Sequence, residues 1–251
     1  MHPMLNIGLR IAKNTLGKFH YLQESGRLLD MSNAECAAEC KELQYDIAGE
    51  IKKSYPDHYV AKDSCDENIM LSERSWLVLP IAGIENLARD YFKVAVSFLY
   101  FENGRIEAAI VIDPSCDDIY SAHRGGTARV GQRRLRVAES MSLEETIWGL
   151  STASSRSLEN DVLQALYQNT GSIRSVGVPL LDCLQVAAGW TDGYIGVGAH
   201  YWDLAPGLFI IGEAGGLSSD FSGGECHKGI LNAVVTNRKL MRQMIKIVST
   251  A

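Results

Sequence analysis

With 251 residues, 46% of them apolar and 22% charged, and with Gly and Pro scattered, the chain can bury a sizeable core, and disordered and fibrous classes are excluded. A net charge of −6 argues against sequence-independent binding to nucleic acid, which needs a dominant basic face. No charged start followed by an apolar stretch, and no apolar run long enough to span a bilayer, is present, so a cytoplasmic chain with no membrane partner is expected.

The densest basic patch, Arg124, Arg129, Arg133, Arg134 and Arg136, lies among turn residues and reads as a solvated rim. Six cysteines (36, 40, 65, 116, 183 and 226) lack the spacing of a disulfide framework and read as reduced thiols. Cys36 and Cys40, four apart, would share a helix face, but no second pair of zinc spacing accompanies them.

Helical spacing of Ala37, Cys40, Leu43, Ile47 and Ile51 predicts an amphipathic helix from Asn33 to Ser54, with Ser32 or Asn33 as N-cap and Tyr55-Pro56-Asp57 as its end. Strands are expected over Trp76–Ile81 and Phe92–Phe101, the second covered on both faces. Asn103-Gly104 then forms a hairpin turn, because both residues tolerate positive φ, and Ile106–Ile112 returns antiparallel. A small turn follows at Val130-Gly131-Gln132, a strand around Thr146–Leu150, and a helix from about Leu158 to Gln168. Val178–Ala188 and Leu204–Ala214 read as buried helices closed by Gly189 and by Gly215-Gly216. Hairpin-paired strands among long helices give an α+β or layered α/β class.

Trp202-Asp203-Leu204-Ala205-Pro206-Gly207 followed by Gly212-Glu213-Ala214-Gly215-Gly216 resembles the W-D-x-A-A-G…E-A-G-G pattern of the inositol monophosphatase family of magnesium-dependent sugar-phosphate phosphatases. Upstream, Asn103-Gly104, Asp113-Pro114, Ile119-Tyr120, Gly125-Gly126, Arg136-Val137 and Asp192-Gly193-Tyr194 follow the same family in order, so the likeness covers most of the chain. It implies a single domain over 1–251 with two intimate lobes, roughly 1–140 and 141–251, folded as a five-layered α-β-α-β-α sandwich and working as a homodimer. A purely structural account of the W-D segment is a buried helix with Asp203 as its N-cap.

The resemblance also implies a chemistry that this chain lacks. Family members hold magnesium with carboxylates, and that magnesium activates water against a phosphate ester. Where the family carries its D-P-x-D-G-T loop, this chain has Leu79-Pro80-Ile81-Ala82-Gly83-Ile84, so Leu79 and Ala82 replace two metal-binding aspartates and Ile84 the water-orienting threonine. Where a Glu-Glu pair belongs, the nearest match is Lys62-Asp63, in a register one residue short, with Asp66 and Glu67 close by as substitutes that read as solvated. Cys40 stands where the threonine's aspartate partner belongs, and Gly196 where a glutamate contacts inositol hydroxyls.

Asp203 alone clearly survives, and one carboxylate does not give magnesium its ligand set. The expectation is a pseudophosphatase without a cofactor that binds a protein partner or a small phosphate-containing anion, with Lys62, His200 and Asp203 as ligand-binding candidates and Asp63 as a remnant carboxylate. The alternative is an active phosphatase, or an enzyme of altered chemistry, acting on a small sugar phosphate through substitute residues around Asp203. It would use magnesium held by Asp63, Asp66, Glu67 and Asp203, or work without metal through Cys40, His200 and Asp203.

Overall fold

The computed structural model describes residues 3–25, 31–89, 91–152 and 156–249. They form a mixed α/β structure with two sheets and eight helices, divided into two compact units, residues 1–133 and 134–251.

In the first unit, α1 (Pro3–Glu24) and α2 (Asn33–Ser54) precede β1 (Tyr59–Ala61), α3 (Asn68–Leu71), β2 (Arg74–Val78), α4 (Ile84–Leu87), β3 (Val96–Glu102), β4 (Arg105–Asp113), β5 (Asp118–His123), β6 (Arg129–Val130) and β7 (Arg133–Arg134), whose second residue is the first of the second unit. The strands form one seven-stranded sheet in chain order, with β1 parallel to β2 and antiparallel pairings from β2 through to β6. The turn joining β3 and β4 has positive φ at Asn103 (50°) and Gly104 (73°), as a type I′ hairpin requires. β3 starts at Val96, later than the expected Phe92, and β2 stops at Val78, short of the expected Ile81, although the Leu79 N–H still reaches the Ser97 carbonyl and Ala82 forms an isolated bridge with Ala95. β3 is buried along its length apart from its last residue, so both of its faces are covered.

α2 matches the expected bounds. Ser32 caps it with a full capping box, its side chain accepting from the Glu35 N–H while Glu35 bonds back to the Ser32 N–H. Its buried stripe runs through Cys36, Cys40, Leu43, Ile47 and Ile51, with Ala37 exposed, a correction of one residue at the first turn. α1 was not foreseen, although Leu5, Ile11, Ala12, Phe19 and Leu22 make a buried helical stripe against the sheet. It approaches the sheet closely at Gly8, where any Cβ would lie 2.2 Å from Ile110.

The second unit carries β8 (Ile147–Thr152), α5 (Arg156–Asn169), β9 (Ser172–Arg174), α6 (Pro179–Ala187), β10 (Gly193–His200), α7 (Tyr201–Glu213), β11 (Leu217–Asp220), β12 (Ile230–Thr236) and α8 (Arg238–Val248). Its sheet has the order β11-β12-β10-β8-β9, with β8 parallel to both β9 and β10 and β12 antiparallel to its two neighbours. Ile195 and Val197 of β10 join a core with Trp148 and Leu150 of β8, Val162 and Leu166 of α5, and Leu240, Met244 and Val248 of α8. Residues of opposite parity, Gly149 and Tyr194, turn toward α6. α6 and α7 meet where Gly207 leaves only 3.0 Å between an added Cβ and Leu180. Both helices end on residues that continue into a left-handed glycine, Gly189 (φ 70°) and Gly215 (φ 90°).

Candidate functional site

Two segments of the first unit carry most of the sequence candidates, and one unforeseen side chain joins them. Buried Gln44 of α2 donates from Nε2 to the Lys62 carbonyl (2.9 Å) and the Val78 carbonyl (2.7 Å), so the turn after β1 and the exit of β2 are held to one helix. A polar residue in the middle of an apolar helical stripe was the available signal for Gln44.

Beyond Val78, the chain is fixed by backbone and apolar contacts. The Leu79 N–H donates to the Ser97 carbonyl at 3.0 Å, and Ala82 and Ala95 exchange backbone hydrogen bonds of 2.9 and 3.0 Å. Leu79 and Ile81 are each only 4% exposed, Ile81 belongs to the main core of the unit, and Ile84 packs against that core at the start of α4. Gly83 (φ 88°) supplies the left-handed residue before α4. The loop therefore offers a cation its backbone and no side-chain oxygen, although hard divalent ions require six or more oxygen ligands.

The residues around Lys62 are similarly committed. Its ammonium lies 4.6 Å from the centre of the Tyr45 ring, a cation–π contact. Asp63 is exposed and its Oδ1 accepts from the Cys65 N–H (2.9 Å) in a local turn. Asp66 is half-buried, and accepts from the Tyr59 hydroxyl (2.5 Å) and from the Asn68 backbone and side-chain N–H groups. These bonds, the tyrosine's first, hold its carboxyl below the usual carboxylate range. Glu67 is exposed at the start of α3. Cys40 is 3% exposed within the core, and burial pushes its thiol up to about 12, which makes it a packing residue and a poor nucleophile.

In the second unit, His200 and Asp203 meet at the start of α7. His200, not Asp203, is the N-cap residue, and its side chain makes no capping bond; Asp203 is the third residue of a helix that begins three residues earlier than expected. Asp203 is exposed, yet surrounding protein excludes part of the solvent from its carboxyl and pushes its pKa up, an effect that the neighbouring His200 opposes. Its position in the first helical turn places its charge favourably against the helix dipole.

Gly196 has no room for the glutamate of the inositol-hydrolysing pattern. A Cβ there would lie 2.9 Å from the Tyr194 hydroxyl, and that buried tyrosine is in turn hydrogen-bonded to Ser151. Tyr194, two residues earlier on the same face of β10, fills the space. Behind it, Asp182 of α6 is 1% exposed and accepts from the Val176 N–H through both oxygens (3.0 and 3.2 Å). Burial raises its pKa from 3.8 to about 7, which the Val176 bond partly offsets. Tyr194 enters the sequence reading only as part of Asp192-Gly193-Tyr194, with no role attached, and Asp182, an aspartate in an apolar helix, carries no motif.

Among the described residues no three His, Cys, Asp or Glu side chains come together as a metal-binding group. The side chains of Lys62, Leu79 and Ala82, where the resemblance implies metal ligands, offer magnesium no oxygen and do not fit it.

The chain matches the profile of the inositol monophosphatase family over residues 21–251. It is similar to the Nus factor SuhB of Escherichia coli K12, 30% identical over 259 residues that cover 98% of this chain and 95% of that protein. It is also similar to the fructose-1,6-bisphosphatase/inositol-1-monophosphatase of Thermotoga maritima, 32% identical over 216 residues covering 83% and 80%. Solved structures of the same fold include extragenic suppressor protein SuhB from Bartonella henselae (TM-score 0.82, 23% identity, 98% of this chain and 99% of that one). Inositol monophosphatase II from Staphylococcus aureus is another (TM-score 0.84, 22% identity, 98% and 94%).

Proposed function

Because the chain belongs to the inositol monophosphatase family, we propose that it is a pseudophosphatase, one domain over 1–251 that acts in the cytoplasm as a homodimer by binding a protein partner or a phosphate-containing anion. The observation that carries this reading is the Leu79–Ile84 loop. Leu79 and Ile81 are buried, Ala82 is tied by its backbone to Ala95, and Ile84 packs on the core, so the loop is held by the fold rather than by a cation. No described helix is long and apolar enough to cross a membrane. Several relatives bear the name Nus factor, which supports partner binding. Lys62, His200 and Asp203 remain the candidates for holding an anion or a partner's polar groups.

A second reading is favoured by Asp203 and by the enzyme name of the Thermotoga maritima relative: residual hydrolysis of a small sugar phosphate. Calorimetric titration of magnesium into metal-free protein, with a phosphatase assay on the same sample, separates the two. The pseudophosphatase gives no saturable heat and no turnover. Millimolar or tighter magnesium binding, with turnover that Asp203→Asn abolishes, would overturn it.

A further inference from the structure

The E-A-G-G half of the family pattern lies apart in sequence from the Lys62 and Leu79–Ile84 segments, and in the second unit it helps to line a cavity of about 600 Å³. The other walls are the segment Arg134–Glu139 and the start of α8, Asn237 to Lys239. That volume is typical of a small-molecule site. Its construction is specific. Asn237 donates from Nδ2 to the Ala138 and Ser140 carbonyls (3.0 and 2.9 Å) while its Oδ1 caps α8, and the Val137 N–H donates to the Ala214 carbonyl (3.3 Å). Gly216 lets Val137 pack down, since a Cβ there would lie 2.9 Å from the valine methyl.

The five-arginine rim of the sequence divides at this cavity. Arg124 is bound to Glu107 and to the Ile106 carbonyl, and Arg129 to the Gln132 carbonyl. Arg134 and Arg136 instead line the cavity with Arg238 and Lys239, and among the described residues none of these four is paired with a carboxylate within 4 Å. Four cations thus share one concave surface with two carboxylates, Glu139 and Glu213, in a chain whose net charge is −6. The α8 terminus adds its dipole, but the Lys239 and Leu240 N–H groups are already taken by Asn237, so the side chains must hold the ligand.

The geometry points to a binding site for a small phosphate ester bearing hydroxyl groups. The three guanidinium forks and the ammonium hold the phosphate, and Glu213 accepts hydrogen bonds from the hydroxyls. This site is separate from the Lys62 loop and does not depend on whether the chain hydrolyses anything.

Calorimetric titration with ribose 5-phosphate and with inorganic phosphate tests it, on the wild type, Arg136→Ala/Arg238→Ala, Glu213→Gln and Lys62→Ala, each checked for an unchanged thermal melt. The wild type binds ribose 5-phosphate more tightly than inorganic phosphate. The double variant weakens both at least tenfold, Glu213→Gln weakens ribose 5-phosphate alone, and Lys62→Ala changes neither. Arg238→Lys, which keeps the charge and loses the fork, falls between wild type and the double variant. No binding by the wild type, equal affinity in the double variant, or loss confined to Lys62→Ala overturns the proposal. If Glu213→Gln leaves the preference for ribose 5-phosphate intact, the hydroxyl recognition is overturned.

Discussion

Asp182 should make the second unit less stable as pH rises, and Asp182→Asn should remove that dependence. The carboxyl is 1% exposed and its pKa is raised from 3.8 to about 7, so the folded state binds its proton more tightly than the unfolded chain does. The favourable contribution is therefore complete below about pH 4 and is lost progressively as pH rises through about 7. At about 1.4 kcal/mol per pH unit, the interval from 3.8 to about 7 sets an upper limit of about 4 kcal/mol. Asparagine keeps an oxygen for the Val176 N–H but brings an amide donor into a buried site, which costs about 1–3 kcal/mol at every pH. Below pH 5 the variant should thus be the less stable protein, and by pH 8 the gap should close or reverse. Urea unfolding followed through tryptophan fluorescence at pH 5, 6, 7 and 8 measures both proteins. All other titrating groups are common to them, so the difference isolates position 182. A stability difference that stays constant from pH 5 to pH 8 would refute the reasoning.

Gln44→Leu removes the Gln44 donor from the half-buried Lys62 carbonyl and the buried Val78 carbonyl and should cost about 1–3 kcal/mol in urea unfolding, with faster amide exchange in the turn after β1. Gly196→Glu should lower stability by about 1–3 kcal/mol, because Tyr194 must leave its Ser151 partner; combining it with Tyr194→Ala should cost less than the sum of the two separate effects, as a double-mutant cycle on unfolding would show. Restoring carboxylates with Lys62→Glu, Leu79→Asp and Ala82→Asp should destabilise the metal-free protein by several kcal/mol, since position 79 is 4% exposed, and should create a magnesium-dependent rise in melting temperature absent from the wild type. A melting temperature that magnesium leaves unchanged in the triple variant would mean that these positions do not form the family's cation site here.

Legibility in the sequence followed the strength of local signals. α2 has a serine cap answered by a glutamate three residues on, and Asn103-Gly104 has only one turn chemistry, so both could be read before any fold was known. α8 was missed although Asn237 caps it and Leu240, Met241, Met244 and Val248 form its stripe. β10 was hidden by three glycines, which lower strand propensity and exist because Trp148 and Tyr194 press on the backbone at Gly193 and Gly196. For α7 the residue type of Asp203 suggests a cap and a start at Leu204, three residues late, whereas the backbone leaves the extended region at His200. For the candidate site the sequence offers only the residue types at the positions that the resemblance singles out. What holds those positions in place is not legible there, because Gln44 reaches Val78 across 34 residues and no local pattern encodes that contact.

On the proposed reading, the same contacts bear on how the fold keeps this loop without a cation. A loop that presents several carboxylates to one another is held against their repulsion by the metal, and it loosens when the metal leaves. Here Leu79 and Ile81 give the equivalent loop its own buried area, Ala82 pairs with Ala95, and Gln44 ties the approach to α2. Each of these restraints is independent of any ion and persists in metal-free protein. Reintroducing the carboxylates one at a time should consequently be costly at position 79, which is 4% exposed, and tolerated at Ala82, which is only half-buried and whose present bonds are all backbone. The order of those two costs, measured by unfolding without magnesium, distinguishes a loop rebuilt as core from one that has merely lost its ligands: equal costs would indicate the latter.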